Sequence, residues 1–377
     1  SGGRHSLSKS NGENGKQMDE KRETENSTSD GLEQSFSAAV RAVQSSPDSE
    51  EAWDHLEELA DSLQRPDEVA AVYRDILGKD HPENVRNRLF ERAVGFYDEW
   101  FGDNPDQMTS VLSRIIEIDP DADWVFDRLT VVLTVAEQWD TLLAAYDKVI
   151  ALTRDETRRK QLLDDAVNAA RTLAGKPDRA VDYLRQQYIL EPDNSQLAAS
   201  IERLLERLER WGELVALWRE QIVSLSGDDV RKLRLRIVSC CLDSLADPQE
   251  ALRELGVLLE ETPGEEEGCK HLETVLAIED APVEMRLDAL NLLRANYDGV
   301  AKPEAALAAV EVGIGFVDSS SRLALLREAG MRCTALGNEE RAMEHFAAVL
   351  LRMPSDMEAR KQLRQLAAKS KRRDLQA

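Results

Sequence analysis

A short phrase recurs eight times along this chain, and its spacing limits the fold more than any other feature. It reads Pro66-Asp67-Glu68-Val69, Pro105-Asp106-Gln107-Met108, Pro177-Asp178-Arg179-Ala180, Pro248-Gln249-Glu250-Ala251 and Pro303-Glu304-Ala305-Ala306. Looser copies are Trp139-Asp140-Thr141-Leu142, Trp211-Gly212-Glu213-Leu214 and Glu339-Glu340-Arg341-Ala342. Proline at the first helical position, with acids in the first turn, marks a helix start. The apolar residue that closes each phrase returns after 39, 34, 38, 34, 37, 55 and 36 residues. A period in that range predicts a stack of helical hairpins. Each unit of such a stack buries its apolar face only against its neighbours, which leaves a long surface available for binding.

Downstream of each phrase, apolar residues fall four and often seven positions beyond the anchor: Val69, Tyr73 and Ile76; Met108, Leu112 and Ile115; Leu142, Tyr146 and Val149; Ala251, Leu255 and Leu258; Ala342, Phe346 and Val349. This is the stripe of a helix packed on one side. Pro120, Pro192, Pro263 and Pro354, twelve residues past their anchors, stop the helix. Each unit therefore has a first helix, followed by a second that opens on the phrase.

At this point the chain resembles the tetratricopeptide repeat (TPR) family. That family carries a pattern of about 34 residues, W-x2-L-G-x2-Y in the first helix and A-x3-F with a late Pro in the second. The last unit carries Leu326, Ala329, Gly330, Cys333, Gly337, Ala342, Phe346 and Pro354 at that spacing. The first unit offers Trp53, Leu56, Ala60, Val69 and Tyr73, and the third Phe126, Leu129, Leu133, Leu142 and Tyr146. The middle units are degenerate: Leu184 and Trp218 replace the second-helix aromatic. The resemblance covers roughly residues 35 to 370. It implies an all-α, right-handed α-α superhelix of about eight helix-turn-helix units with one extra helix. The fluctuating period predicts longer helices in some units.

The expected organisation is a disordered leader over 1–33, repeats over 34–263, an irregular segment with an extra helix over 264–280, further repeats over 281–354, and a capping helix with a basic tail over 355–377. The leader is polar and holds a glycosylation-type triplet, Asn26-Ser27-Thr28, read as chance. The 55-residue step between Ala251 and Ala306 contains two helical stretches, of which one is surplus. It marks a kink, a boundary between two sub-arrays, or simply one more packed helix. Met357 to Lys369 reads as a cap with Ala359, Leu363, Leu366 and Ala367 on one side.

Composition excludes several functions. Acids outnumber bases 72 to 48, a net charge of −24. That argues against nucleic acid as a partner, since phosphate binding needs clustered cations. No apolar run approaches the length of a membrane helix, so no membrane insertion is expected and a cytoplasmic location is the default. Cys240, Cys241, Cys269 and Cys333 show no metal-type spacing and read as buried free thiols. The histidines form no HExxH and none sits at an obvious metal spacing to a cysteine. No phosphate loop, dinucleotide fingerprint or nucleophile elbow occurs. The expectation is a non-enzyme without cofactor or metal.

In TPR proteins the first helices line the concave face. Counting back from the anchors, the resemblance implies Glu51, Asp54, Glu58, Asp61 and Ser62 for the first unit, and Phe90, Ala93, Tyr97, Trp100 and Phe101 for the second. It implies Trp124, Asp127 and Val131 for the third, Arg203, Arg207 and Arg236 further on, and Arg327 in the last unit. The candidate partner-binding set is Trp100, Trp124, Asp127, Arg203, Arg207, Arg236 and Arg327. The expected function is a scaffold that holds a partner peptide or protein in this groove. The alternative is a self-assembling or assembly-factor subunit of a larger complex, with a homo-oligomer as one form.

Overall fold

The computed structural model describes residues 31–370, and every regular element among them is helical. After α1 (31–45) come α2 (Glu50–Leu63), α3 (Pro66–Leu77), α4 (Glu83–Phe101), α5 (Pro105–Ile118), α6 (Asp123–Val135), α7 (Trp139–Leu152), α8 (Glu156–Asn168) and α9 (Pro177–Leu190). Then follow α10 (Ser195–Arg207), α11 (Trp211–Ile222), α12 (Asp228–Asp243), α13 (Pro248–Glu261), α14 (Glu266–Ala277), α15 (Val283–Gly299), α16 (Pro303–Phe316), α17 (Ser319–Ala335), α18 (Glu339–Arg352) and α19 (Met357–Ser370). The start of the leader with its Asn26 triplet, and the basic tail beyond residue 370, lie outside the described residues. The first helix is already present at residue 31, inside the expected leader.

All eight phrases open a helix at their first residue: α3, α5, α7, α9, α11, α13, α16 and α18. The turn before them has a common device. Gln64, Glu137, Gly175, Glu209, Ala246, Ala301 and Gly337 have φ between 49° and 75°, and each stands two residues ahead of a phrase helix. The next residue's N–H then reaches back to the preceding helix, as in Arg65 to Ala60, Arg210 to Leu205 and Asn338 to Cys333. This is a left-handed helix cap that satisfies carbonyls the helix end would leave bare. The apolar stripes are sealed: Val69, Tyr73, Ile76, Leu112, Ile115, Val149, Leu255, Leu258 and Val349 are fully buried. Each such side chain contributes about 1.5–3 kcal/mol of transfer free energy. The four terminator prolines lie two residues beyond Ile118, Leu190, Glu261 and Arg352, the ends of their helices. The 39-residue step is accounted for by the 19-residue α4. One local feature had no sequence signal: α8 runs into a π-helical turn, Ala169–Leu173.

The described chain divides into two compact units between Leu197 and Ala198, not at the 55-residue interval. In the first unit, alternate helices are tied laterally. Arg92 on α4 pairs with Asp54 and Glu57 on α2, Arg128 on α6 with Asp98 on α4, and Arg158 on α8 with Asp123 on α6. On the other side, Lys148 on α7 pairs with Glu117 on α5, and Arg179 on α9 with Asp147 on α7. Even-numbered helices thus form one row and odd-numbered helices the other.

The second unit, taken by itself, is also built of two rows. Arg236 on α12 pairs with Glu202 on α10, and His271 on α14 meets Ser239 on α12, so α10, α12 and α14 are one row. Arg219 on α11 pairs with Glu254 on α13, α15 packs on α13, and Arg294 and Arg332 bridge α15 to α17. The surplus helix is α14. Because it is a single helix, it shifts the phase by one. The phrase helices α11 and α13 belong to the odd row, whereas α16 and α18 occupy the even row.

Candidate functional site

The first unit holds a concavity of about 530 Å³ between α2 and α4, lined by Asp54, Glu57, Glu58, Asp61, Phe96, Glu99 and Trp100. Asp54, Glu58, Asp61 and Trp100 were expected on one face, and the fold brings them together. Beneath them lies an aromatic ladder: Trp53 stacks on Tyr73 at 4.1 Å, and Tyr73 meets Phe96 at 5.4 Å. The Tyr73 hydroxyl donates to Glu57, and burial together with that carboxylate pushes its pKa far up. Arg92 closes the wall by binding both Asp54 and Glu57. Burial alone would lower its pKa, but the hydrogen bonds it donates to Glu57 and Asp54 raise it instead.

Phe90, Ala93 and Tyr97 do not point into the concavity. They are buried core, and Phe101 leans on Tyr97 at 5.3 Å. Trp124 is 43% exposed and Asp127 is exposed on α6, outside this concavity. Asp127 faces α8, where Asp165 has its pKa raised first by burial and then by Asp164 and Asp127.

The second unit carries a larger groove of about 740 Å³, walled by α11, α12 and α14. Its floor is Leu214, Trp218, Leu235 and Cys240, and its rim includes Trp211, Arg231, Lys232, Arg236 and His271. The Arg236 guanidinium sits 4.4 Å from the centre of the Trp218 ring. It is also held by Glu202 at 3.0 Å and Glu206 at 3.7 Å. Trp218 is buried and its indole N–H has no acceptor among the described residues. A buried donor left unpaired is costly, about 1–3 kcal/mol. Burial pushes the Cys240 thiol up and holds Cys241 at about 11, so neither is poised as a nucleophile.

The remaining sequence candidates separate. Arg203 folds back onto the Ala199 carbonyl of its own helix, and Arg207 is exposed near the end of α10. Neither lines the groove. Arg327 was expected on the same face as Arg236. The phase shift at α14 puts it on α17, in the opposite row, where it binds the buried Asp356 at 2.6 Å. Sequence reasoning missed Trp211, which lies on a phrase helix, His271, which lies on the surplus α14, and Lys232, which stands on α12 just ahead of the counted positions.

No protein-family profile matches the chain, and no curated protein matches it. Solved structures do. The chain is similar to a TPR protein from Parabacteroides merdae, at 14% identity over 74% of this chain and 98% of that one, TM-score 0.23. It is similar to a chain of the Naa15/Naa10 complex bound to HypK, at 12% identity over 92% of this chain and 60% of that one, TM-score 0.26. It is also similar to a chain of the Cut9–Hcn1 hetero-tetramer of the APC/C, at 13% identity over 90% and 74%, TM-score 0.23. No helix of the described residues is long and apolar enough to cross a membrane.

Proposed function

We propose that the protein is a helical-repeat scaffold that binds a peptide segment of a partner protein in the α11–α12–α14 groove. The observation that carries this reading is Trp218: a buried indole with an unpaired N–H, capped by Arg236, at the floor of an open groove. Aromatic residues and arginines in such settings concentrate binding energy. An apolar or aromatic side chain of the peptide fills the floor. Charges of both signs on the rim, including Glu206, Asp243, Arg231 and Lys232, favour a peptide with mixed flanks. The reading assigns no catalytic step and no cofactor. The four unpaired cysteines suit a reducing compartment, so a cytoplasmic setting belongs to the same reading.

The test is a peptide library selected on the full chain, followed by affinities for variants. Trp211→Ala and Arg236→Glu should weaken the selected peptides by about tenfold or more, the scale of a single anchor residue. The melting temperature of Trp211→Ala should stay close to the parent's, and that of Arg236→Glu should fall, because a third carboxylate then joins Glu202 and Glu206. Reversing Arg203 and Arg207 should leave affinity unchanged, because neither lines the groove. If the Trp211 and Arg236 variants bind as well as the parent, the groove is not the site.

A further inference from the structure

Three consecutive helices of the second unit bring a carboxylate, a thiol and an imidazole to one point. Glu311 lies on α16, Cys333 on α17 and His345 on α18, and one donor atom from each lies within 4.8 Å of the other two. The His345 Nε2 is already 3.0 Å from a Glu311 oxygen. The sequence showed no cysteine–histidine spacing of the usual metal type. The twelve residues from Cys333 to His345 span the left-handed turn at Gly337, and the hairpin folds the two positions back on each other.

Two glycines hold these helices close. A Cβ on Gly313, two residues from Glu311, would fall 2.5 Å from Leu290 and 3.1 Å from Leu325. A Cβ on Gly330, one turn before Cys333, would fall 2.8 Å from the Phe346 ring, next to His345. The three donors therefore project from a tightly packed part of the fold rather than from loops. Cys333 is fully buried, whereas Glu311 and His345 are only partly covered, which leaves an approach from solvent.

We propose that Glu311, Cys333 and His345 form a binding site for a divalent transition cation of the zinc or cobalt class. Thiolate, imidazole and carboxylate are the donors such ions take, in sets of three or four. Bond lengths of about 2.0–2.3 Å place donors about 3.5 Å apart, so closure needs a contraction of roughly 1 Å at the widest pair. Water completes the coordination. In the metal-free state the Arg341 guanidinium neutralises Glu311 by gripping its carboxylate. Arg341 is 47% exposed, so it can swing into solvent when a metal ion takes its place. The site is independent of the α11–α12–α14 groove, and a failure of either leaves the other standing.

The experiment titrates cobalt(II) into the chelator-treated full chain and follows the near-ultraviolet thiolate-to-cobalt absorption. Zinc is then added to displace it. One equivalent should bind. Cys333→Ser should abolish the absorption, and Glu311→Gln and His345→Gln should each weaken binding by tenfold or more while the helical circular dichroism stays intact. Arg341→Ala should bind as tightly as the parent or more so. The absence of stoichiometric binding overturns the proposal. So does an absorption that persists in Cys333→Ser, which would come from Cys240, Cys241 or Cys269, and so does binding indifferent to both Glu311→Gln and His345→Gln.

Discussion

Gly330 on α17 lies flat against the ring of Phe346 on α18: a Cβ there would sit 2.8, 2.9 and 3.0 Å from three ring atoms. Phe346 is itself 2% exposed and has nowhere to go. Gly330→Ala should therefore destabilise the protein by about 1–3 kcal/mol through overpacking, despite the helix propensity it gains of about 1 kcal/mol. Urea unfolding checks this. A stabilised Gly330→Ala would show that α17 and α18 can separate freely.

The left-handed turns before the phrase helices give a paired prediction. At φ 53° Glu137 carries the strain of an L-residue, and at φ 75° Gly337 does not. Gly337→Ala should cost about 1 kcal/mol even though its Cβ would meet open space. Glu137→Gly should be neutral or stabilising by up to about 1 kcal/mol, since relief of strain is offset by the unfolded-state entropy of glycine. Melting curves of the two variants should move in opposite directions or, at the least, differ clearly.

Asp356 predicts a pH dependence. Its pKa is held below the ordinary carboxylate range, first by the Ala359 N–H at the start of α19 and also by Arg327. A depressed folded pKa contributes stability that is present above the unfolded value of about 3.9 and is lost as pH falls through the folded value. Asp356→Asn keeps an oxygen for the cap but removes the charge. It should be less stable than the parent by about 1 kcal/mol at pH 7, and the gap should close at an acid pH below the depressed folded value. Denaturant titrations at the two pH values decide it; a gap of constant size removes the charge from the account.

The buried thiols should be slow. With Cys241 at about 11, about one in a thousand is thiolate at pH 8, against about one in four for an ordinary cysteine. A disulfide reagent should form mixed disulfides with the thiols of the native protein slowly, expelling its own thiolate, and should do so rapidly in denaturant. Prompt modification of Cys241 in the native state would mean that the α12–α13 hairpin opens readily.

Much of the fold was legible because its signals are local. Proline and acids at a helix start, an apolar stripe over the next two turns and a terminating proline act within about fourteen residues. They placed all eight phrase helices, including α16 and α18; the positions of Asp54, Glu58, Asp61 and Trp100 on one face were implied only by the resemblance to the TPR family. The sequence also predicted that Cys240, Cys241, Cys269 and Cys333 are buried and unpaired.

What it could not decide was which helices stand side by side. The surplus helix α14 is a local object, but its consequence is not: one extra helix in a two-row stack exchanges the rows. Only the packing of α15 on α13 shows that Arg327 faces away from the row of Arg236. The meeting of Glu311, Cys333 and His345 likewise depends on packing, here of α16 against the α17–α18 hairpin. Helix starts follow from the energetics of a single turn of backbone. Neighbourhoods follow from which apolar faces cover one another, and that is settled only when the whole unit packs.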